Sequence, residues 1–311
     1  MRYAVLFPGQ GSQFVGMGAD LFDTRPDLLG ERSDAILGWS LRHLCLEGPE
    51  DVLTRTEHAQ PALFALAYAL WDLLAESLPG PPSATAGHSL GEYTALAAAG
   101  VFDYETALSL VARRGKAMAA AADLAPSGMA ALIGADEELA ESIAARRRAE
   151  GGALEVANIN APGQVVVSGG VDDIEWVVEN ARGLGARRAI PLKVAGAFHS
   201  KFMEPAASEV AQALAGVELH VPSFPVWSNT TAQPHQVGEI AELLARQVVS
   251  PVRFAESLLN MAQAGISLFV HVGPGDVTAG MARRTVPDAQ VVAVSAPEDV
   301  HAAVEAMGTM A

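Results

Sequence analysis

The 311-residue chain is predicted to fold as an α/β protein. Three observations point there. Apolar strand-like runs alternate with helical periods along the whole length. A short strand, a G-x-S-x-G pentapeptide and a helix-forming stretch follow one another at 83–99. Residues 127–194 read β-α-β-β-α-β as a unit of their own.

The start, Met1-Arg2-Tyr3-Ala4-Val5-Leu6-Phe7-Pro8-Gly9, reads as the first strand and is too short an apolar run for a signal peptide. It runs into Pro8-Gly9-Gln10-Gly11-Ser12-Gln13. This glycine-rich turn is no phosphate loop, since it lacks the lysine and spacing of G-x-x-x-x-G-K-[ST]. It reads either as a plain structural turn or as half of an oxyanion hole. In the second case the N–H of Gln10 joins that of Leu90. The longest helical stretch, 61–74, contains Asp72, and no apolar run reaches membrane-spanning length.

Residues 83–86 form a short strand before Gly87-His88-Ser89-Leu90-Gly91. In such a pentapeptide the serine sits on a sharp strand-to-helix turn, flanked by glycines because the backbone leaves no room for side chains. The helix that follows, 92–99, ends at Gly100. Ser89 therefore stands at a helix N-terminus, where free N–H groups favour developing negative charge. It is the candidate nucleophile. Asp103 then reads as the N-cap of a helix over 104–122, with Ala107, Leu108, Val111 and Met118 at helical spacing. Apolar Leu110, Val111 and Met118 put one of Arg113 and Arg114 near the buried face, where a guanidinium requires a partner. An internal acid or a substrate carboxylate answers that requirement.

Proline and glycine at 126–128 punctuate the chain. Strands at 129–133, 154–159, 164–168 and 187–194, with helices at 137–149 and 171–183, give the order of a ferredoxin-like split unit. Residues 127–194 are read as this small subdomain, inserted into a large one made of 1–126 and 195–311. Later strands fall at 225–228, 268–272 and 290–293.

A serine hydroxyl needs a base. Among the eight histidines, His199 lies in a small-residue loop, Val194-Ala195-Gly196-Ala197-Phe198-His199-Ser200, at the subdomain junction, where it reads either as that base or as an exposed loop histidine. His88 adjoins Ser89 but points away across the turn and reads as a supporting hydrogen-bonder. His43, His58, His220, His235 and His301 lie in polar, surface-like contexts. Half of the residues are apolar, enough for a large core with a smaller unit. The net charge of −16 argues against nucleic acid as a partner. The single Cys45 excludes a disulfide framework and fits a cytoplasmic protein, as a small buried apolar residue. No cofactor or metal is implied, because no histidine–carboxylate cluster has ligand spacing.

Together these motifs resemble the malonyl-CoA:acyl carrier protein transacylases along nearly the whole chain. The resemblance is carried by 7–13, 56–62, Gly87 to Glu92, Arg113-Arg114-Gly115, 158–169, 197–200, 247–253 and Val272-Gly273-Pro274-Gly275. It implies an α/β-hydrolase-like large subdomain with a ferredoxin-like insertion. It further implies Ser89 as acylated nucleophile, His199 as base, Arg114 as grip on the malonyl carboxylate, and the N–H groups of Gln10 and Leu90 as oxyanion hole. The base would be held by the backbone carbonyl of Gln247 rather than by an aspartate, although the sequence leaves Asp103 or another acid open in that place. The substrates implied are malonyl-CoA and the phosphopantetheine thiol of an acyl carrier protein, in polyketide or fatty acid synthesis.

Phe198 beside the histidine resembles malonyl-specific members, its ring filling the space an α-methyl would need. The same Ala197-Phe198-His199-Ser200 resembles stand-alone enzymes that load polyketide assembly lines in trans. Carrier proteins are acidic like this chain, so docking requires a local basic patch, for which Arg182, Arg187, Arg188 and Lys193 are candidates. His271 departs from the acidic residue expected before the Gly-Pro-Gly turn, with no functional account. A thioester hydrolase would use the same serine and histidine but has no need of a carboxylate grip. A non-catalytic binding module has no need of the intact elbow.

Overall fold

The computed structural model describes residues 2–78 and 80–308. Its strands in chain order are β1 (Tyr3–Phe7), β2 (Ala84–Gly87), β3 (Ser127–Ile133), β4 (Glu155–Ala161), β5 (Gln164–Gly170), β6 (Arg188–Pro191), β7 (Val226–Trp227), β8 (Leu268–Val272) and β9 (Gln290–Val294). They form two sheets. One is parallel throughout, ordered β7-β2-β1-β8-β9. The other is antiparallel, ordered β4-β5-β3-β6, which is the strand order of a ferredoxin-like unit.

A parallel sheet is covered on both faces, so its central strands read as unbroken apolar runs rather than alternating ones. In β1 every residue is buried. Tyr3, Val5 and Phe7 pack on one side with the helix Thr56–Ala75, in a core that also takes in the helix Tyr104–Asp123. Ala4 and Leu6 pack on the other side with the helices Phe254–Gln263 and Val277–Thr285. The antiparallel sheet divides its faces differently. Ala130, Leu132, Val165 and Val167 pack beneath its own helices, Glu137–Ala149 and Val171–Asn180. Met129, Ala131 and Val166 face Met118, Ala121 and Ala122 on the helix Tyr104–Asp123 of the large unit. The active cavity opens at this second face.

The local expectations hold with shifted ends. Asp103 accepts from Thr106 N at 2.8 Å and caps its helix, so it is not a partner of His199. The last strand of the small unit stops at Pro191, because Val194 N turns back to Leu192 O at 3.0 Å. The helix expected over 171–183 ends at Asn180, before Gly183 and Gly185. The first strand was expected to start at Met1, which lies outside the described residues. No helix among the described residues is long and apolar enough to cross a membrane.

Candidate active site

β2 delivers the chain to a turn that only glycine can flank. A Cβ on Gly87 would lie 1.8 Å from the Gly91 carbonyl carbon, and one on Gly91 would lie 2.4 Å from Phe7 O. Between them Ser89 takes a left-handed backbone, φ 51°, a conformation that costs a non-glycine residue and must be held by its surroundings. Asn229 holds it. Its Oδ1 accepts from Ser89 N at 2.7 Å and its Nδ2 donates to Gly87 O at 2.7 Å. The helix Gly91–Ala98 starts immediately beyond.

Ser89 Oγ lies 2.8 Å from His199 Nε2. On the far side of the ring, Nδ1 lies 2.9 Å from the backbone oxygen of Gln247. A carbonyl oxygen only accepts, so Nδ1 carries the proton and Nε2 is left to accept from the serine hydroxyl. His199 itself has φ 59°, and its loop is clamped by Ser168 Oγ donating to Phe198 O and Ser200 Oγ donating to Ala197 O, both at 2.6 Å. Burial, and after it the positive charge of Arg114, push the His199 pKa down from 6.5 to about 3.

Of the two adjacent arginines, Arg113 is exposed and Arg114 is 1 % exposed. Arg114 donates from NH1 to Gln60 Oε1 at 2.5 Å, and from NH2 to Gln247 Oε1 at 2.9 Å and Ser89 Oγ at 3.0 Å. Its guanidinium also lies 5.5 Å from the centroid of the Tyr93 ring. All three oxygens are amide or hydroxyl, and none of the ion pairs among the described residues includes this arginine. Its Nε is buried without a hydrogen-bond partner among the described residues. Of the two answers left open by the sequence, an internal acid in direct contact is not the one found.

These groups line a cavity of about 400 Å³. Ser89, His199, Arg114 and Gln60, tied by hydrogen bonds, form its polar end, and Gln10 and Leu90 also line it. Met118, Met129, Ala131, Val166 and Phe198 form an apolar wall, most of it from the small unit. Leu192, Lys193 and Val277 line it at exposed positions. Gln247 meets the site through both its carbonyl and its side chain. The candidates Ser89, His199, Arg114, Gln10, Leu90, Phe198 and Gln247 are therefore brought together, while Arg182, Arg187 and Arg188 stand exposed outside the cavity lining.

Several contributors escaped the sequence reading. Gln60 and Asn160 carry no signal beyond their place in family-like segments, and Asn229 lies in none of those segments. His88 turns away from Ser89 and donates from Nε2 to Asn160 Oδ1 at 2.7 Å, as its position across the elbow suggested. His235 corrects the reading: it is not a surface histidine but a buried one, 2.6 Å from Glu92 Oε1. His271 is buried as well, between Thr278 Oγ1 at 2.6 Å and Gly273 O at 3.0 Å. Cys45 is buried and unbridged, and burial pushes its thiol up to about 12.

Comparison with known proteins agrees over nearly the full length. The acyl transferase domain family matches residues 5–306. The chain is 39 % identical over 309 residues to the malonyl CoA-acyl carrier protein transacylase of Bacillus subtilis strain 168, covering 98 % of this chain and 97 % of that one. It is 39 % identical over 292 residues to the polyketide biosynthesis malonyl CoA-acyl carrier protein transacylase PksC of the same organism, covering 92 % and 98 %. Among solved structures, the acyl-carrier-protein S-malonyltransferase of Bartonella henselae superposes with a TM-score of 0.94 at 38 % identity, covering 99 % of this chain and all of that one. A malonyl-transacylase in complex with its type II polyketide synthase acyl-carrier protein superposes with a TM-score of 0.93 at 36 % identity, covering 98 % of this chain and all of that one.

Proposed function

We propose, from the premise that the chain belongs to the acyl transferase family and within it to the malonyl-CoA:acyl carrier protein transacylases, that Ser89 and His199 form its catalytic dyad and Arg114 its carboxylate clamp. The enzyme transfers a malonyl group from malonyl-CoA to the phosphopantetheine thiol of an acyl carrier protein, for fatty acid or polyketide synthesis. The relatives carry both the plain transacylase name and the polyketide one, so a trans-acting polyketide type is not needed to account for them.

The observation that carries the reading is the 3.0 Å contact between the buried guanidinium and the nucleophile. In a malonyl thioester a single methylene separates the carbonyl under attack from the free carboxylate. A clamp touching the nucleophile suits that spacing. A two-pronged, charge-assisted grip there selects carboxylated acyl groups and aligns the carbonyl for attack. A hydrolase of simple acyl groups has no use for it.

In the first half-reaction Ser89 Oγ gives its proton to His199 Nε2 and bonds to the thioester carbonyl carbon. The N–H groups of Gln10 and Leu90 take the oxyanion. The C–S bond breaks, and the departing coenzyme A sulfur takes the proton from His199. In the second half-reaction the carrier's pantetheine thiol gives His199 its proton, and its sulfur attacks the malonyl ester. Ser89 leaves with the proton restored. Because His199 leans on a neutral carbonyl rather than a carboxylate, its imidazolium is held less firmly, and the proton passes on readily to the leaving group.

The same reading treats 1–126 with 195–311 as the catalytic subdomain and 127–194 as the inserted one, supported by their separate sheets and cores. Phe198, buried on the apolar wall, is the residue that disfavours an α-methyl. A cytoplasmic location belongs to the proposal too, supported by the unbridged Cys45. Incubation with malonyl-CoA followed by intact-protein mass measurement tests the whole. A stable malonyl adduct that disappears in Ser89→Ala and on addition of carrier protein is expected. Turnover to free malonate without an adduct would favour the hydrolase instead.

A further inference from the structure

Glu92 has no exposed surface, yet the reaction as written makes no use of it. A buried carboxylate is costly unless its oxygens are answered by donors. Oε1 accepts from His235 Nε2 at 2.6 Å and Oε2 from Gln247 Nε2 at 2.5 Å. Both side chains of the Glu92–His235 pair are 0 % exposed. His235 is itself anchored, its backbone N–H donating to Val226 O at 2.8 Å.

The chemistry of the groups fixes which way Gln247 turns. A carboxylate only accepts, so the amide must offer it nitrogen. The second N–H of that nitrogen goes to Ser89 O at 2.9 Å. The amide oxygen is thereby left for Arg114, and the backbone carbonyl of the same residue for His199. With the amide reversed, two sets of donors would face each other across the guanidinium. Burial pushes the Arg114 pKa down, and the neighbouring Tyr93 and Glu92 work against that effect.

We propose that Glu92 and His235 are positioning residues for malonyl selection. The carboxylate, held by His235, locks the Gln247 amide so that its oxygen steers Arg114, and it supplies that guanidinium's counter-charge from one residue away. An acid in direct contact with Arg114 would occupy the N–H groups that a substrate carboxylate needs. An acid set behind an amide supports the cation and leaves those groups to the ligand. The proposal rests on the reading of Arg114 as carboxylate clamp.

The test compares malonyl-CoA with acetyl-CoA, a donor lacking the carboxylate, as the ratio of kcat/KM for acylation of Ser89. Glu92→Gln, His235→Leu, His235→Gln and Arg114→Ala are measured beside the parent, with thermal midpoints. Glu92→Gln is expected to lower the malonyl-to-acetyl ratio about 10–100-fold, chiefly through KM for malonyl-CoA, as displaced positioning groups do. His235→Leu is expected to act in the same direction, and His235→Gln, which returns an N–H donor, to recover the ratio. Equal losses toward both donors, or an unchanged ratio where Arg114→Ala collapses it, overturn the proposal. An unchanged ratio in Arg114→Ala removes the clamp reading itself. If Glu92→Gln does not fold, the two His235 variants decide: a ratio lost in Leu and regained in Gln supports the proposal, and equal ratios overturn it.

Discussion

The parallel and antiparallel units meet along one cavity but contribute differently to it. From the parallel unit come Ser89 and Arg114, backed by Gln247 and Glu92 behind the lining, polar groups tied to one another by hydrogen bonds. Apart from Ser89, each is at most 1 % exposed. From the antiparallel unit come Met129, Ala131 and Val166, most of the apolar wall, beside the polar Asn158, Asn160 and Gln164; exposed Lys193 also lines the cavity, while Arg182, Arg187 and Arg188 stand exposed outside it. The contrast has a physical basis. Groups that stabilise developing charge act through fixed orientation in a dry site, so they need a rigid scaffold. A wall that limits size needs shape rather than fixed dipoles, and Met129, Ala131 and Val166 supply it.

Three variants sharpen or break that contrast, and the largest effect lies in the parallel unit. Arg114→Ala is expected to lower kcat/KM for malonyl-CoA about 100–1000-fold, the scale of losing one partner of a buried charge pair. Acetyl-CoA should be largely spared, and parallel losses on both donors would end the clamp reading. The same variant carries a pH signature. With the His199 pKa near 3, the neutral base is present across the ordinary range, and acylation should show no step at 6.5. Activity should fall only as acid protonates His199 near its lowered pKa. Arg114→Ala removes one of the two main causes of that lowering, so the acid limb should move up toward 6.5. A pH–rate profile of adduct formation measures both.

The wall should matter less. Phe198→Ala is expected to change the malonyl-to-methylmalonyl ratio of specificity constants by about tenfold, within the 1–3 kcal/mol that one methylene commands in an apolar pocket. An unchanged ratio would mean that other wall residues set the limit. Smallest of all, reversing Arg187 and Arg188 to Glu should raise the carrier-protein KM a few-fold, on the order of a rim-charge effect, and steepen no loss in self-acylation. Equal effects on both half-reactions would take the docking face away from this unit.

Much of this was legible in local patterns. The apolar runs of β1 and β8, the glycines of the elbow, and the Asp103 cap each report their own few residues. Helical spacing through Leu110, Val111 and Met118 narrowed the buried cation to one of two arginines, and packing selected Arg114. His235 shows where that approach stops. Its neighbours Gln233, Pro234 and Gln236 are those of a surface turn, yet its ring lies buried against Glu92, 143 residues away in sequence.

By itself the sequence determined the elements, the candidate nucleophile and its turn, because periodicity, capping and glycine geometry act over one or two turns of chain. Only the tertiary structure decided what answers the charge of Arg114, which nitrogen of His199 accepts, and which way the Gln247 amide faces. Those depend on contacts such as Ser89 to His199 and Gln247 to Glu92, separated by 110 and 155 residues. Distance and donor–acceptor direction across such gaps arise only when the sheets pack, and no spacing along the chain encodes them.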